Sequence, residues 1–164
     1  MFIEMKVNGI VLDPQTNVPI VILKDAAGKH TLPIWIGLLE ASAIAMELEK
    51  IKIHRPLTHD LLKNILAQLN VAVVKIEITD IKNNTYYALI HLDVQGKIIT
   101  IDSRPSDSIA LALRTESPIF VAKTVLEKSN QLDEKSPDFS QENKDKWSEI
   151  LENLDPEDFG KYKM

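Results

Sequence analysis

The sequence contains no cysteine. Disulfides, thiolate zinc sites and a cysteine nucleophile are therefore excluded, and any metal ion must sit on oxygen or imidazole ligands. Aromatic residues are scarce, at 5% of the chain, and no basic strand carries the aromatic run on which nucleic-acid bases stack. No apolar run approaches the ~20 residues of a membrane span. The opening "MFIEMKVNGIVL" lacks the basic start and long apolar core of a signal peptide, so the expected location is the cytoplasm. GxxxxGK(S/T), GxGxxG and HExxH are all missing, which removes the usual signatures of nucleoside-triphosphate, dinucleotide and zinc-protease chemistry. Basic residues are outnumbered, 19 to 24, for a formal charge of −5. A stable nucleic-acid coat is disfavoured by that balance, since such affinity comes mainly from Lys and Arg displacing counterions. A brief encounter with nucleic acid through a carboxylate-bound cation is not.

The hydrophobic and charged fractions, 45% and 26%, are those of an ordinary globular chain, and 164 residues suffice for one domain and a tail. Strands are expected at "FIEMKVNGIVL", "VPIVILKD" and "TLPIWIG", separated by the turn formers "DPQTN" and "AAGKH". A helix follows from Leu38 to about Lys50, with Ala41, Ile44, Ala45, Leu48 and Ile51 as its stripe. A second opens with Thr58 as N-cap and carries Leu61, Leu62, Ile65, Leu66 and Leu69 at helical spacing. "VAVVKIEITDI" alternates as a half-solvated strand, placing Val74, Ile76 and Ile78 opposite Lys75, Glu77 and Thr79. "TYYALIHLDV", "QG" and "KIITID" make a hairpin, about Pro105 to Arg114 a third helix, and "PIFVA" a last strand.

The expected fold is α+β: a mixed, largely antiparallel sheet packed with about three helices, plus a short C-terminal helix. Residues 1–128 form the domain; residues 129–164 form a polar linker and a tail in which Trp147, Ile150, Leu151 and Leu154 give an amphipathic helix. An internal echo runs through the domain. Sliding "VILKDAAGKHTLPIWIGLLEASAIAM" by about 67 positions onto "ALIHLDVQGKIITIDSRPSDSIALAL" puts Glu40 on Asp107, Ala43 on Ala110 and Ala45 on Ala112.

Two polar clusters sit at helix starts. "IDSRPSDS" offers Asp102, Ser103, Arg104, Ser106 and Asp107, more polar side chains than capping requires. "HRPLTHD" offers His54, Arg55, His59 and Asp60. Each residue also has a plain structural reading: Asp107 as a dipole-favoured acid, Arg104 as a salt-bridge partner, the serines as caps, His59 as a solvated helix start. No His stands at an obvious triad spacing from a serine, which sets a serine nucleophile aside.

With "LPIWIGLLEASAIA", "HRPLTHDLL", "TYYALIHL", "IDSRPSDSIALALR" and "PIFVA" in that order, the chain resembles the bifunctional nuclease family from roughly Met5 to Leu126. Ser108 stands where that pattern more often has Ala. The resemblance implies a compact domain, a homodimer and nuclease activity on DNA and RNA, and it carries over Glu40, Arg55, His59, Asp102, Arg104, Ser106 and Asp107. The leading expectation is a phosphodiesterase in which Glu40, Asp102 and Asp107 hold Mg²⁺ or Mn²⁺. Arg55, Arg104 and Ser106 steady the phosphate, Asp102, Asp107 and His59 form the catalytic set, and His59 moves the proton. The rival is a non-catalytic module recognising a small anion or a partner chain. The two clusters are expected to meet in space and bring Arg55 and Arg104 together.

Overall fold

The structure is a computed structural model and describes residues 1–132. The tail helix expected around Trp147 lies outside the described residues. In chain order the elements are β1 (Phe2–Leu12), β2 (Pro19–Asp25), β3 (Thr31–Trp35), α1 (Leu38–Leu48), α2 (Thr58–Gln68), β4 (Val71–Lys82), β5 (Thr85–Val94), β6 (Lys97–Ser103), α3 (Pro105–Thr115), β7 (Ile119–Ala122) and α4 (Lys123–Leu132). One sheet takes all seven strands in the order β3-β2-β1-β7-β4-β5-β6. Every pairing is antiparallel except β4 with β7. This is the expected mixed, largely antiparallel α+β fold. Among the described residues, no helix is long and apolar enough to cross a membrane.

Two meanders, β1-β2-β3 and β4-β5-β6, each feed a helix, and β7 joins them at the middle of the sheet. The echo therefore has a structural counterpart. Helices α1 and α3 are both 11 residues long, and their bounds differ by 67 at either end. The sheet is curled, because the Tyr86 hydroxyl on β5 donates to the Pro33 carbonyl on β3, 3.3 Å away across almost the whole strand order. Ile44, Ile76, Ile78, Ile109, Val121 and Val125 are fully buried in one continuous core inside the curl. Fully burying one such side chain is worth ~1.5–3 kcal/mol.

Several local expectations shift for identifiable reasons. The N-cap of α2 is Leu57, not Thr58; Asp60 in the first turn accepts a hydrogen bond from the Leu57 N–H at 3.0 Å and does the capping. On β4, Val74 stands at a register shift between Val73 and Lys75 and is exposed, while Ile76 and Ile78 point into the core as the alternation required. The sequence reading contained no helix at α4, whose buried residues are Val125, Leu126 and Ser129. Two apolar side chains and a serine make too thin a stripe to announce a helix. Helix α2 has the expected apolar spacing, yet none of its residues is fully buried; Leu61 is 51% exposed and the C-cap Leu69 67%.

Candidate active site

Chain geometry brings three helix starts to one place. Strand β6 ends at Ser103, Arg104 takes an extended conformation as N-cap, and Pro105 opens α3 with its φ already suited to a helix. Helix α1 opens after Gly37 and packs along α3; small buried residues, Ala41 and Ala45 on one and Ala110 and Ala112 on the other, permit the close approach. Glu40 and Asp107, the echoed pair, thus face the same point from two first turns. Arg104 lies between them. Its Nη1 donates to Glu40 Oε1 at 3.0 Å and its Nε to Asp107 Oδ2 at 2.7 Å. The other Asp107 oxygen bonds His59 Nε2 at 3.0 Å, which adds the first turn of α2 to the group. Glu40 Oε2 fills the space where a Cβ on Gly37 would stand, so only glycine fits there with Glu40 folded toward Arg104.

A second bridge holds the frame. Arg114 on α3, its side chain only 3% exposed, donates to Asp60 Oδ1 at 2.7 Å and to the carbonyls of Ala110 and Ala43 at 2.9 and 3.0 Å. One guanidinium thereby ties α1, α2 and α3 together and fixes His59 relative to Asp107.

The electrostatics follow from these contacts. Burial works against a charged Asp107, but the hydrogen bonds from Arg104 and His59 outweigh it and hold the carboxyl below its ordinary range. Asp60 behaves alike: burial opposes its charge, and Arg114 and the Leu57 N–H more than compensate. Arg104 is raised further above its usual value, first by Asp107 and then by Glu40. The cluster is thus one guanidinium held between the side chains of Glu40 and Asp107, with the His59 ring at its edge.

His59, Asp107, Arg104 and Glu40 are brought together; the other expected site residues stand elsewhere. Asp102 pairs with Leu89 while its neighbour Ile101 pairs with buried Ile90, so the pleat turns Asp102 to the sheet face away from α3. Arg55 is exposed and lines a hollow with Asp60 and Arg114, apart from the two that Arg104 lines. The two clusters do meet, through His59–Asp107 and Asp60–Arg114, but not through their Arg-Pro arginines. Ser106 is buried beside Arg104, on the side away from His59. The expected metal set is not assembled. Among the described residues no three His, Asp or Glu side chains group closely enough to hold an ion. Glu40 and Asp107 converge on a guanidinium instead, and a divalent cation there would meet its repulsion unless Arg104 swung out. The residues as arranged do not fit Mg²⁺ or Mn²⁺.

Two hollows flank Arg104. One of about 320 Å³ is lined by Leu39, Met46, Leu57, His59 and Asp107 among others. The other, of about 250 Å³, lies between the end of β3 and the start of β5 and includes Trp35 and Ser106. Trp35 was not singled out from the sequence, although the 67-residue echo sets it opposite Asp102.

The chain is similar to known proteins over most of its length. An uncharacterized protein of Mycobacterium tuberculosis is 38% identical over 162 residues, covering 95% of this chain and 97% of its own length. Bifunctional nuclease 1 of Oryza sativa is 27% identical over 126 residues, 68% of this chain and 38% of the plant protein. Bifunctional nuclease 1 of Arabidopsis thaliana is 27% identical over 109 residues, 64% of this chain and 34% of its own. The chain thus spans little more than a third of the plant proteins it matches. The bifunctional nuclease domain matches residues 21–134, from β2 past the end of α4, and so takes in all three helix starts around Arg104; the chain belongs to that family.

Proposed function

We propose that the chain is a nuclease that hydrolyses phosphodiester bonds in DNA, RNA or both, at the cluster of His59, Asp107, Arg104 and Glu40. One observation carries the reading: a half-exposed arginine is held in place by two carboxylates, one of which also holds a histidine. The Arg104 side chain is 66% exposed, and Nη2 makes no hydrogen bond to the described residues, so it can meet a phosphate oxygen. Its position is preset by Glu40 and Asp107, which removes ordering cost when the transition-state charge develops.

His59 is the proton-transfer group. With Nε2–H donated to Asp107, Nδ1 carries the free lone pair. A water gives its proton to Nδ1 as its oxygen bonds to phosphorus; the phosphorus–oxygen bond to the leaving group then breaks, and the imidazolium returns the proton to that oxygen. Asp107 stabilises the imidazolium between these steps. Charge does not oppose such a substrate, because residues 1–132 hold 14 acidic and 14 basic side chains and the surplus of acid lies in residues 133–164. The test is cleavage of single-stranded DNA and of RNA by highly purified protein, with Mg²⁺, with Mn²⁺ and with EDTA. Turnover in EDTA is the outcome this donor set supports. Turnover that needs a metal would mean that Arg104 yields its carboxylates, and no turnover under any condition would leave the anion-binding module.

The active species is a homodimer in this proposal, with the exposed Leu61, Leu62 and Ile65 of α2 and its C-cap Leu69 against a second copy. Helices in proteins draw most of their stability from packing one apolar face, and this one has little to pack on among the described residues. Ile65→Glu is expected to halve the mass in solution. A mass unchanged by the substitution would move the contact elsewhere.

A further inference from the structure

We propose that the outward face of the β1-β2-β3 meander is the docking surface for the chain's own C-terminal segment, which lies on it through Trp147, Ile150, Leu151 and Leu154. The register defines the face. Ile20 stands directly opposite Val11 on β1 and Trp35 on β3, and Ile22 opposite Gly9 and Pro33, whereas Ile10, Val21 and Ile34 alternate with them and point into the core under the helices. Val11, Ile20 and Ile22 form a separate apolar cluster, and they are 2%, 0% and 3% exposed. Outward side chains toward the other edge of the sheet are not covered in this way: Tyr87 on β5 is 41% exposed and Ile98 on β6 53%.

Among the described residues nothing accounts for that burial. No helix residue joins the cluster; the buried Ile44, Ile109, Val125 and Leu126 of α1, α3 and α4 all belong to the core on the opposite face. Trp35 reaches across β2 to Asp13, its Nε1–H donating to Oδ2 at 3.1 Å, and shelters the Ile20 end. Around Ile22 the described neighbours on the same face give no such shelter: Gly9 has no side chain, Pro33 brings only its ring, and Lys24 is exposed. The burial is that of a single chain, so its source is the remaining residues, 133–164, and not a second copy. Position and charge agree. The Ser129 hydroxyl of α4 stands 3.3 Å from the Tyr86 hydroxyl, which donates to the Pro33 carbonyl, so α4 ends close to β3, the edge strand of this face. The roughly 15 residues from there to Trp147 can reach as far as ~50 Å, ample to turn the edge. Lys6 and Lys24 face each other at the rim of the cluster, exposed, and residues 133–164 hold 10 acidic side chains against 5 basic. Docking there braces the strand that runs through Gly37 into α1 and Glu40.

Because the chain has no cysteine, Glu149→Cys gives the full-length protein a single thiol for a nitroxide label, at a position off the apolar stripe of the tail. The readout is the methyl resonances of isotopically labelled isoleucines. The label is expected to attenuate Ile20 and Ile22 and to spare Ile65 on α2 and Ile98 on β6. Adding Leu151→Glu to the labelled protein is expected to restore the Ile20 and Ile22 signals, since losing the burial of one leucine shifts the docking equilibrium by about tenfold or more. Untouched signals at Ile20 and Ile22 would overturn the proposal, as would equal attenuation at Ile65 and Ile98, or attenuation that survives Leu151→Glu. Attenuation found only when nitroxide-bearing chains are mixed with separate isotope-labelled chains would assign the face to the tail of a second copy, and would overturn docking within one chain.

Discussion

Asp107→Asn is expected to yield a folded protein whose phosphodiester cleavage is slower by about 10²–10⁴-fold, the range a lost proton-transfer device covers. The amide has nearly the shape of the carboxylate, so α3 keeps its first turn. What changes is charge and hydrogen-bonding sense. Asp107 now accepts from His59 Nε2 and from Arg104 Nε at once, and its carboxyl is held below its ordinary range, so it is ionised throughout the neutral region. An amide cannot balance the imidazolium formed as water is deprotonated. It also frees Arg104 to leave the position that Glu40 alone then defines. The turnover number on a single-stranded oligonucleotide, read beside the melting curve, checks the prediction. Equal turnover in the two proteins would place the chemistry elsewhere.

Asp60→Ala is expected to have the largest effect on stability, about 3 kcal/mol. Removing one partner of a buried ion pair costs roughly 3–5 kcal/mol because the other charge is left uncompensated. Asp60 is itself about one third exposed, which sets the lower end. Arg114 is the group left behind, with its two carbonyl contacts but no counter-ion. A lower denaturant midpoint at unchanged slope would measure it; a midpoint within error of the wild type would show that the bridge does not hold the helices. The pH dependence has a definite sign. The native-state pKa of Asp60 lies below the ordinary value of 3.8. Its contribution is therefore complete above the unfolded-state pKa and lost as pH falls through the native one. The gap between wild type and variant should be constant near neutrality and close below about pH 4.

The parts of this fold that could be read in advance are those governed by local periodicity. Helices α1 and α3 begin where expected, because Gly37 and the Arg-Pro pair at 104–105 mark helix starts by backbone chemistry alone. The echo of Glu40 on Asp107 turned out to be the core of the candidate site, since a repeated meander and helix brings equivalent first turns face to face. The sequence proximity of Asp102 to Arg104 says nothing about the pleat. One residue of strand separates the two sheet faces. The shared Arg-Pro pairs Arg55 with Arg104 in sequence, yet the residue of "HRPLTHD" that reaches α3 on the Arg104 side is His59, in the first turn of the helix. The expected metal set illustrates a related ambiguity. Carboxylates that converge can hold a cation from within the chain, and here the cation is Arg104. No sequence pattern distinguishes the two cases. Arg114, at the far end of α3, gave no signal because an arginine in a last turn reads as an ordinary dipole partner.

The most direct measurement is the cleavage rate of a single-stranded oligonucleotide by wild type and by His59→Ala, purified identically and shown to melt alike. Among the described residues the His59 side chain hydrogen-bonds Asp107 alone, so its loss removes the base without removing Arg104 or the Asp60–Arg114 bridge. The variant is expected to be slower by at least about 10²-fold, with partial recovery on adding free imidazole. Equal rates in the two proteins would contradict it.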